Sequence, residues 1–172
     1  KDISSITVCL LDRPRHKRII DKLKDLNVNI KLISDGDILG AIYVSDPKYN
    51  VDMYLGIGGG PEGVIAASAL DSFDCHFQGR FIFENENDIN EARIMGIKDF
   101  EKKYELDEII KGDSIFCATG ITNNEFFKGI VLDQDSYISE TLVTHKSSNL
   151  KKIIKKKNLI NEWYQFLAKI GS

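Results

Sequence analysis

The stretch MYLGIGGGPEGVIAASALDSF, Met53 to Phe73, carries the reading of the fold. Met53-Tyr54-Leu55-Gly56-Ile57 reads as a short strand, a glycine cluster turns the chain, and Pro61 through Phe73 has the nearly apolar face of a buried helix. Pro61 suits a first helical turn, where its missing N–H would have no partner. Strand, turn and helix in that order form the unit from which parallel sheets are built.

The same alternation extends both ways. Upstream, the run Ile6 to Leu11 predicts a strand buried on both faces. Pro14 through Leu26 predicts a helix whose Ile19, Ile20, Leu23 and Leu26 share one side. Asn29 to Ile33 predicts a second strand, and Asp37 through Val44 a helix ending near Asp46-Pro47. Downstream, Arg80 to Phe83 reads as a fourth strand and Ser114 to Ala118 as a fifth, with helices over Asn87–Gly96 and Leu106–Lys111 between them. From Gly129 the pattern becomes a hairpin, Ile130-Val131-Leu132 and Tyr137 to Thr144 around Asp133-Gln134-Asp135. Asn149 to Ile170 carries Ile153, Ile154, Ile160, Trp163, Phe166, Leu167 and Ile170 at positions that suit a helix. The expected class is α/β: a mostly parallel sheet flanked by helices, then a carboxyl-terminal hairpin and helix. The expected division is an α/β domain over residues 1–146 and a helical basic tail over 147–172.

Composition narrows the function classes. With 172 residues, 42% hydrophobic and 28% charged, the chain is ordinary for a globular protein. A formal charge of −3 gives no global field for nucleic acid, and the apolar runs are too short to span a bilayer. Cys9, Cys75 and Cys117 are widely spaced; Cys9 and Cys117 sit in apolar runs and read as small buried hydrophobes. A reducing cytoplasm fits them. Lys1 heads a chain that enters a strand within a few residues, so the expectation is a segment of a longer protein.

In an open α/β sheet, ligands bind beyond the carboxyl ends of the strands. Four polar clusters are expected there: Asp12-Arg13-Pro14-Arg15, Asp35-Gly36-Asp37, Gly56 to Gly63, and Ala118-Thr119-Gly120-Ile121-Thr122. Arg13 and Arg15 offer forked donors that match phosphate geometry, with Pro14 stiffening the loop; each also suits a surface salt bridge. Asp35 and Asp37 flank a glycine that lets backbone approach a ligand, although Asp37 equally suits the cap of a helix starting at Ile38. The glycine turn exposes N–H groups to an anion. Glu62, in the first helical turn, suits either the helix dipole or a hard divalent cation. His16, His76 and His145 are isolated and read as surface or partly buried polar residues without a catalytic role.

Gly58, Gly60 and Gly63 also satisfy G-x-G-x-x-G, with Glu84 about 20 residues on, at the end of the expected fourth strand. A dinucleotide-binding domain of an oxidoreductase is therefore a rival reading. Pro61 weakens it by removing an N–H, and the fingerprint leaves Arg13, Arg15, Asp35 and Asp37 unexplained. A nonenzymatic phosphosugar-binding module is a further alternative.

Taken together, Leu11-Asp12-Arg13-Pro14-Arg15-His16, Asp35-Gly36-Asp37, Gly58-Gly59-Gly60-Pro61-Glu62-Gly63-Val64 and Ala118-Thr119-Gly120-Ile121-Thr122 resemble the motifs of class II fructose-1,6-bisphosphatases, in the family's order, as far as about Thr144. The resemblance implies one half of a lithium-sensitive sugar-phosphatase fold. It implies hydrolysis of fructose 1,6-bisphosphate to fructose 6-phosphate in gluconeogenesis, with sedoheptulose 1,7-bisphosphate a second substrate in some members. By resemblance Arg13, Pro14, Arg15, Asp35, Gly36, Asp37 and Gly59 contact substrate, Glu62 ligates Mg²⁺ or Mn²⁺, and no catalytic residue lies in this segment. The implied partners are an amino-terminal half bearing the other metal ligands and further copies in a homo-oligomer, with neither nucleic acid nor membrane. The departures are Gly60 for a usual alanine, Asn124 for a common glycine, and a longer, more basic tail from Ser147.

Overall fold

The computed structural model describes residues 1–161. The chain divides into two units, Lys1–Gly112 and Asp113–Ser172.

The first unit is built on β1 (Thr7–Leu11), β2 (Asn29–Ile33) and β3 (Met53–Tyr54), parallel and in the order β2-β1-β3. All five residues of β1 are buried, as a central strand covered on both faces requires. Its alternation assigns the faces. Val8 and Leu10 pack with Ile19, Ile20 and Leu23 of α1 (Lys17–Asp25). Cys9 lies opposite Tyr54 in the parallel register, on the other face. There Gly40 of α2 (Asp37–Ile42) lies so close to the Tyr54 ring that a Cβ would stand 2.7 Å from Tyr54 Cε2. Ala41 of α2 then meets Ala66 and Leu70 of α3 (Gly60–Asp71) in a second apolar cluster.

The expected strand at Arg80–Phe83 is not formed. The pairing falls two residues earlier, where β4 (Gln78–Gly79) runs antiparallel to β5 (Tyr104–Glu105) in a separate two-stranded sheet. Phe81 and Phe83 instead stack at 6.1 Å, and each meets a second ring edge-on, Tyr104 and Phe100 respectively. Ring packing, not a ladder, uses this aromatic run. The helices α4 (Glu86–Ile94) and α5 (Leu106–Ile109) lie where the sequence places them.

The second unit is an antiparallel sheet of β6 (Ile115–Thr119), β7 (Val131–Asp133), β8 (Ser136–His145) and β9 (Leu150–Leu159). The expected fifth parallel strand is thus β6, paired antiparallel with β8, so the parallel sheet among the described residues has three strands. The expected helical tail is corrected as well. Residues 150–159 pair along the whole of β8, from Leu150 opposite His145 to Leu159 opposite Ser136. The remainder of the expected helix, from residue 162, lies outside the described residues. Lysine favours helix locally, but β8 presents a full ladder, Lys155 faces Glu140, and Lys157 Nζ bonds Asp133 at 2.7 Å. Tertiary pairing overrides propensity here. The lysines also suit a sheet edge, where charge discourages further pairing. At the opposite end of β8, His145 Nε2 lies 2.6 Å from Asp113, which also accepts from Ser147 Oγ at 2.7 Å.

Of the cysteines expected inside, Cys9 is fully buried whereas Cys117 is exposed, because its side of β6 lies opposite the buried Phe116. No helix among the described residues is long and apolar enough to cross a membrane.

Candidate functional site

With β1 between β2 and β3, the connection leaving β1 turns to one side and β3 lies on the other. The strand order therefore reverses at the β1/β3 boundary, where the carboxyl ends of an α/β sheet open a crevice. Three of the four polar clusters sit on this edge, one after each parallel strand. The fourth, Thr119-Gly120-Ile121-Thr122, follows β6 in the other unit. Thr119 Oγ1 is tied there to Thr141 Oγ1 at 2.8 Å.

The β1 and β2 loops are joined at their base, where Asp12 N donates to Ile33 O at 2.8 Å. Above it Arg13 bonds Asp12 O at 3.1 Å and reaches towards Asp35, 4.0 Å away across the edge. Both groups are open to water and the separation is long, so this pair leaves the guanidinium available to an anion. Pro14 opens a short 3-10 turn leading into α1. In the β2 loop Gly36 has φ +83, a left-handed conformation that only residues such as glycine adopt without strain. Asp35 Oδ1 accepts from Gly36 N, and Asp37 Oδ1 from Ile38 N at 2.9 Å. Asp37 is the first residue of α2, so its carboxylate serves the helix start and stays on the strand-end edge.

The β1 and β3 loops are held together more firmly. Arg15 Nε donates to Ile57 O at 2.6 Å. His16, expected at the surface or partly buried, is completely buried. Its Nδ1 lies 2.8 Å from Leu11 O, and Ile57 N donates to its Nε2 at 2.9 Å. The ring occupies the crevice floor because it satisfies two backbone groups that the diverging strands leave unpaired.

Beyond Ile57 the glycines open α3. Gly59 is its N-cap residue without a side-chain cap, so the first-turn amides remain available to an anion. Glu62 stands in this first turn, exposed, its carboxylate folded back over Gly59 where a Cβ would collide with it. A Cβ on Gly58 would lie 3.9 Å from Asp37 Oδ2, which brings the β2 loop against the glycine turn. Tyr54 lies below this junction. Burial, and next the Asp37 charge, push its phenol up, while Arg15 opposes them. Arg13, Pro14, Arg15, Asp35, Gly36, Asp37, Gly59 and Glu62 thus share one edge.

His16 and Tyr54 escaped the sequence reading. A histidine after two arginines and a tyrosine in a strand carry no local signal of where a ring will be buried.

Among the described residues no three histidine, cysteine or carboxylate side chains converge on one point. On this rim the Glu62 carboxylate suits one oxygen of a Mg²⁺-type shell, in which one or two carboxylates are completed by water and substrate phosphate. The dinucleotide reading meets a topological obstacle. Gly58, Gly60 and Gly63 do lie on a strand-to-helix turn, but Glu84 ends no strand beside β3, and the nearby β4 belongs to another sheet.

The family model described as bacterial fructose-1,6-bisphosphatase, glpX-encoded, matches residues 1–158. A fructose-1,6-bisphosphatase class 2 from Haemophilus influenzae is 34% identical over 168 residues, which cover 89% of this chain and 50% of the relative. Proteins named D-fructose 1,6-bisphosphatase class 2/sedoheptulose 1,7-bisphosphatase are 30% identical in Trichodesmium erythraeum and 33% in a Synechococcus strain, covering 93% and 90% of this chain. The chain spans about half the length of the curated relatives it matches. The match takes in the three strand-end loops as well as the antiparallel sheet, and on that extent the chain belongs to the glpX-encoded family of bacterial fructose-1,6-bisphosphatases.

Proposed function

We propose that this chain is the carboxyl-terminal, substrate-holding portion of a divalent-metal-dependent sugar-bisphosphate phosphatase. The reaction is hydrolysis of fructose 1,6-bisphosphate to fructose 6-phosphate and phosphate, with sedoheptulose 1,7-bisphosphate as a second substrate, in the cytoplasm. The observation that carries this reading is the meeting of the Arg13–Arg15 loop, the Asp35–Asp37 loop and the uncapped glycine turn at one strand-order reversal. The guanidinium groups and first-turn amides suit phosphate, and the two aspartates suit sugar hydroxyls as acceptors. Glu62 would hold Mg²⁺ or Mn²⁺ in part; the ion, when bound, supplies Lewis acidity and neutralises phosphoryl charge. The remaining ligands and the catalytic groups belong to an amino-terminal half, so this segment alone releases no phosphate.

The test is phosphate release by the longer protein containing this chain. Glu62→Gln collapses turnover at ordinary metal concentration, and Arg15→Ala raises KM far more than it lowers kcat. Near-normal turnover in the first variant removes Glu62 from the metal site. An unchanged KM in the second removes Arg15 from the phosphate. Phosphate release by the 172-residue chain itself would refute the division of labour.

A further inference from the structure

We infer that His16 is a positioning residue, a buried latch that fixes the glycine turn against the arginine loop so that both meet one phosphate-bearing ligand. The ligand class rests on the sugar-bisphosphate reading above; the latch itself rests on geometry.

A carbonyl oxygen can only accept, and two face the ring, Leu11 O at 2.8 Å from Nδ1 and Ile57 O at 3.1 Å from Nε2; the shorter contact, together with the Ile57 N–H aimed at Nε2, assigns the proton to His16 Nδ1. Nε2 then has the lone pair that accepts from Ile57 N at 2.9 Å. The ring packs beneath Gly56, where a Cβ would stand 3.5 Å from its Cε1 and Nε2. Being wholly buried, it touches no ligand.

The consequence lies in the next residues. The N–H of Ile57 belongs to the peptide before it and the C=O to the peptide after it. His16 accepts from the first, and Arg15 Nε donates to the second at 2.6 Å, closer than the 3.1 Å between that oxygen and His16 Nε2. Two successive peptide planes are therefore clamped just before Gly58-Gly59-Gly60, three consecutive residues without a Cβ to restrict the backbone. An unclamped turn would lose that freedom on binding, and ligand affinity would fall accordingly. Arg15 sits on the same clamp, so its guanidinium and the α3 amides keep a set separation.

Two substitutions separate the latch from general packing. Glutamine places an acceptor where Nε2 lies and keeps the bond from Ile57 N. Asparagine places a donor where Nδ1 lies and keeps the bond to Leu11 O. Each leaves one buried partner unmet, so both lower the melting temperature to a similar degree. Only His16→Asn frees the glycine turn. The experiment measures amide hydrogen exchange at Ile57 and calorimetric binding of fructose 1,6-bisphosphate, with Mg²⁺ present, to the 172-residue chain. His16→Asn should accelerate Ile57 exchange and weaken binding about 5- to 30-fold, the ordering of one backbone residue. His16→Gln should stay close to the original on both. Ile57 exchange unchanged in His16→Asn, or equal loss of affinity in both variants, overturns the latch. If the unsubstituted chain does not bind the sugar bisphosphate, substrate holding by this segment fails; the latch then stands or falls on the Ile57 exchange contrast between the two variants.

Discussion

Gly36→Ala tests how the β2 loop holds its two aspartates. Gly36 sits at φ +83 and ψ 58, at the N-cap of α2. An added Cβ would stand 3.6 Å from Leu39 Cβ, an ordinary contact, so the penalty is one of backbone conformation and not of crowding. Placing an L-residue with a Cβ in the left-handed region costs about 1–2 kcal/mol. For a chain of this size that lowers the melting temperature by about 2–8 °C. Gly36→Asn should lose less, because a short polar side chain tolerates this conformation. Gly60→Ala provides the opposite sign. Outside its chain neighbours and its own helix, nothing lies within 4 Å of its added Cβ and the residue is the first of α3, so that variant should hold or gain up to about 1 kcal/mol. Calorimetric melting of the three variants under one buffer reads all of these. If the chain can relax Gly36 out of the left-handed region, Asp35 and Asp37 should turn with it, and sugar-bisphosphate affinity should fall more than the melting temperature suggests. Gly36→Ala melting at or above the original, with Gly60→Ala unchanged, would refute the backbone argument.

Three other outcomes follow from the described contacts. Burial, reinforced by the Asp37 charge, keeps the Tyr54 phenol protonated above the ordinary value near 10. The folded state then binds a proton that the unfolded chain releases, so stability falls as pH rises above about 10; Tyr54→Phe should flatten that alkaline limb in pH-dependent unfolding. The Ser147 hydroxyl, then His145, holds Asp113 below its ordinary 3.8. Its contribution is present above that pH and is lost as pH falls through the depressed value, so Asp113→Asn should make the second unit less sensitive to acid below about pH 4, read by amide exchange along β6 and β8. Gly129→Ala should destabilise the second unit by about 1–3 kcal/mol, since its Cβ would fall 2.6 Å from Thr122 C and 2.7 Å from Ile121 O, backbone atoms that cannot rotate away. Unaltered denaturation of that variant would mean that the 120–129 loop repacks freely.

How legible each element was depends on what formed it. β1, α1, β2 and α2 stand close to where periodicity places them: β1, α1 and α2 bury apolar residues of their own, β2 pairs residue for residue with β1, and breakers bound the helices, Pro14 before α1 and Asp46-Pro47 after α2. The strand-end loops were legible for a related reason. Paired arginines around a proline, aspartates around a glycine and a glycine run before a proline are local chemistry that survives without coordinates. Arg80–Phe83 and Leu150–Leu159 misled for the opposite reason. The first has β-forming residues but gives its rings to Tyr104 and Phe100; the second has a helix-compatible composition but meets a ten-residue partner in β8.

The sequence by itself determined that strands alternate with helices, that the strand-end loops carry phosphate- and cation-compatible groups, and which family's motifs they form. Only the tertiary structure decided that β1 lies between β2 and β3, that the Thr119–Thr122 loop belongs to a different sheet, and that His16 is buried as the link between Leu11 and Ile57. The physical reason is range. Periodicity and turn chemistry act over a few residues, whereas strand order and the fate of a buried imidazole depend on partners some 40 positions away, whose hydrogen bonds exist only after the sheet has closed.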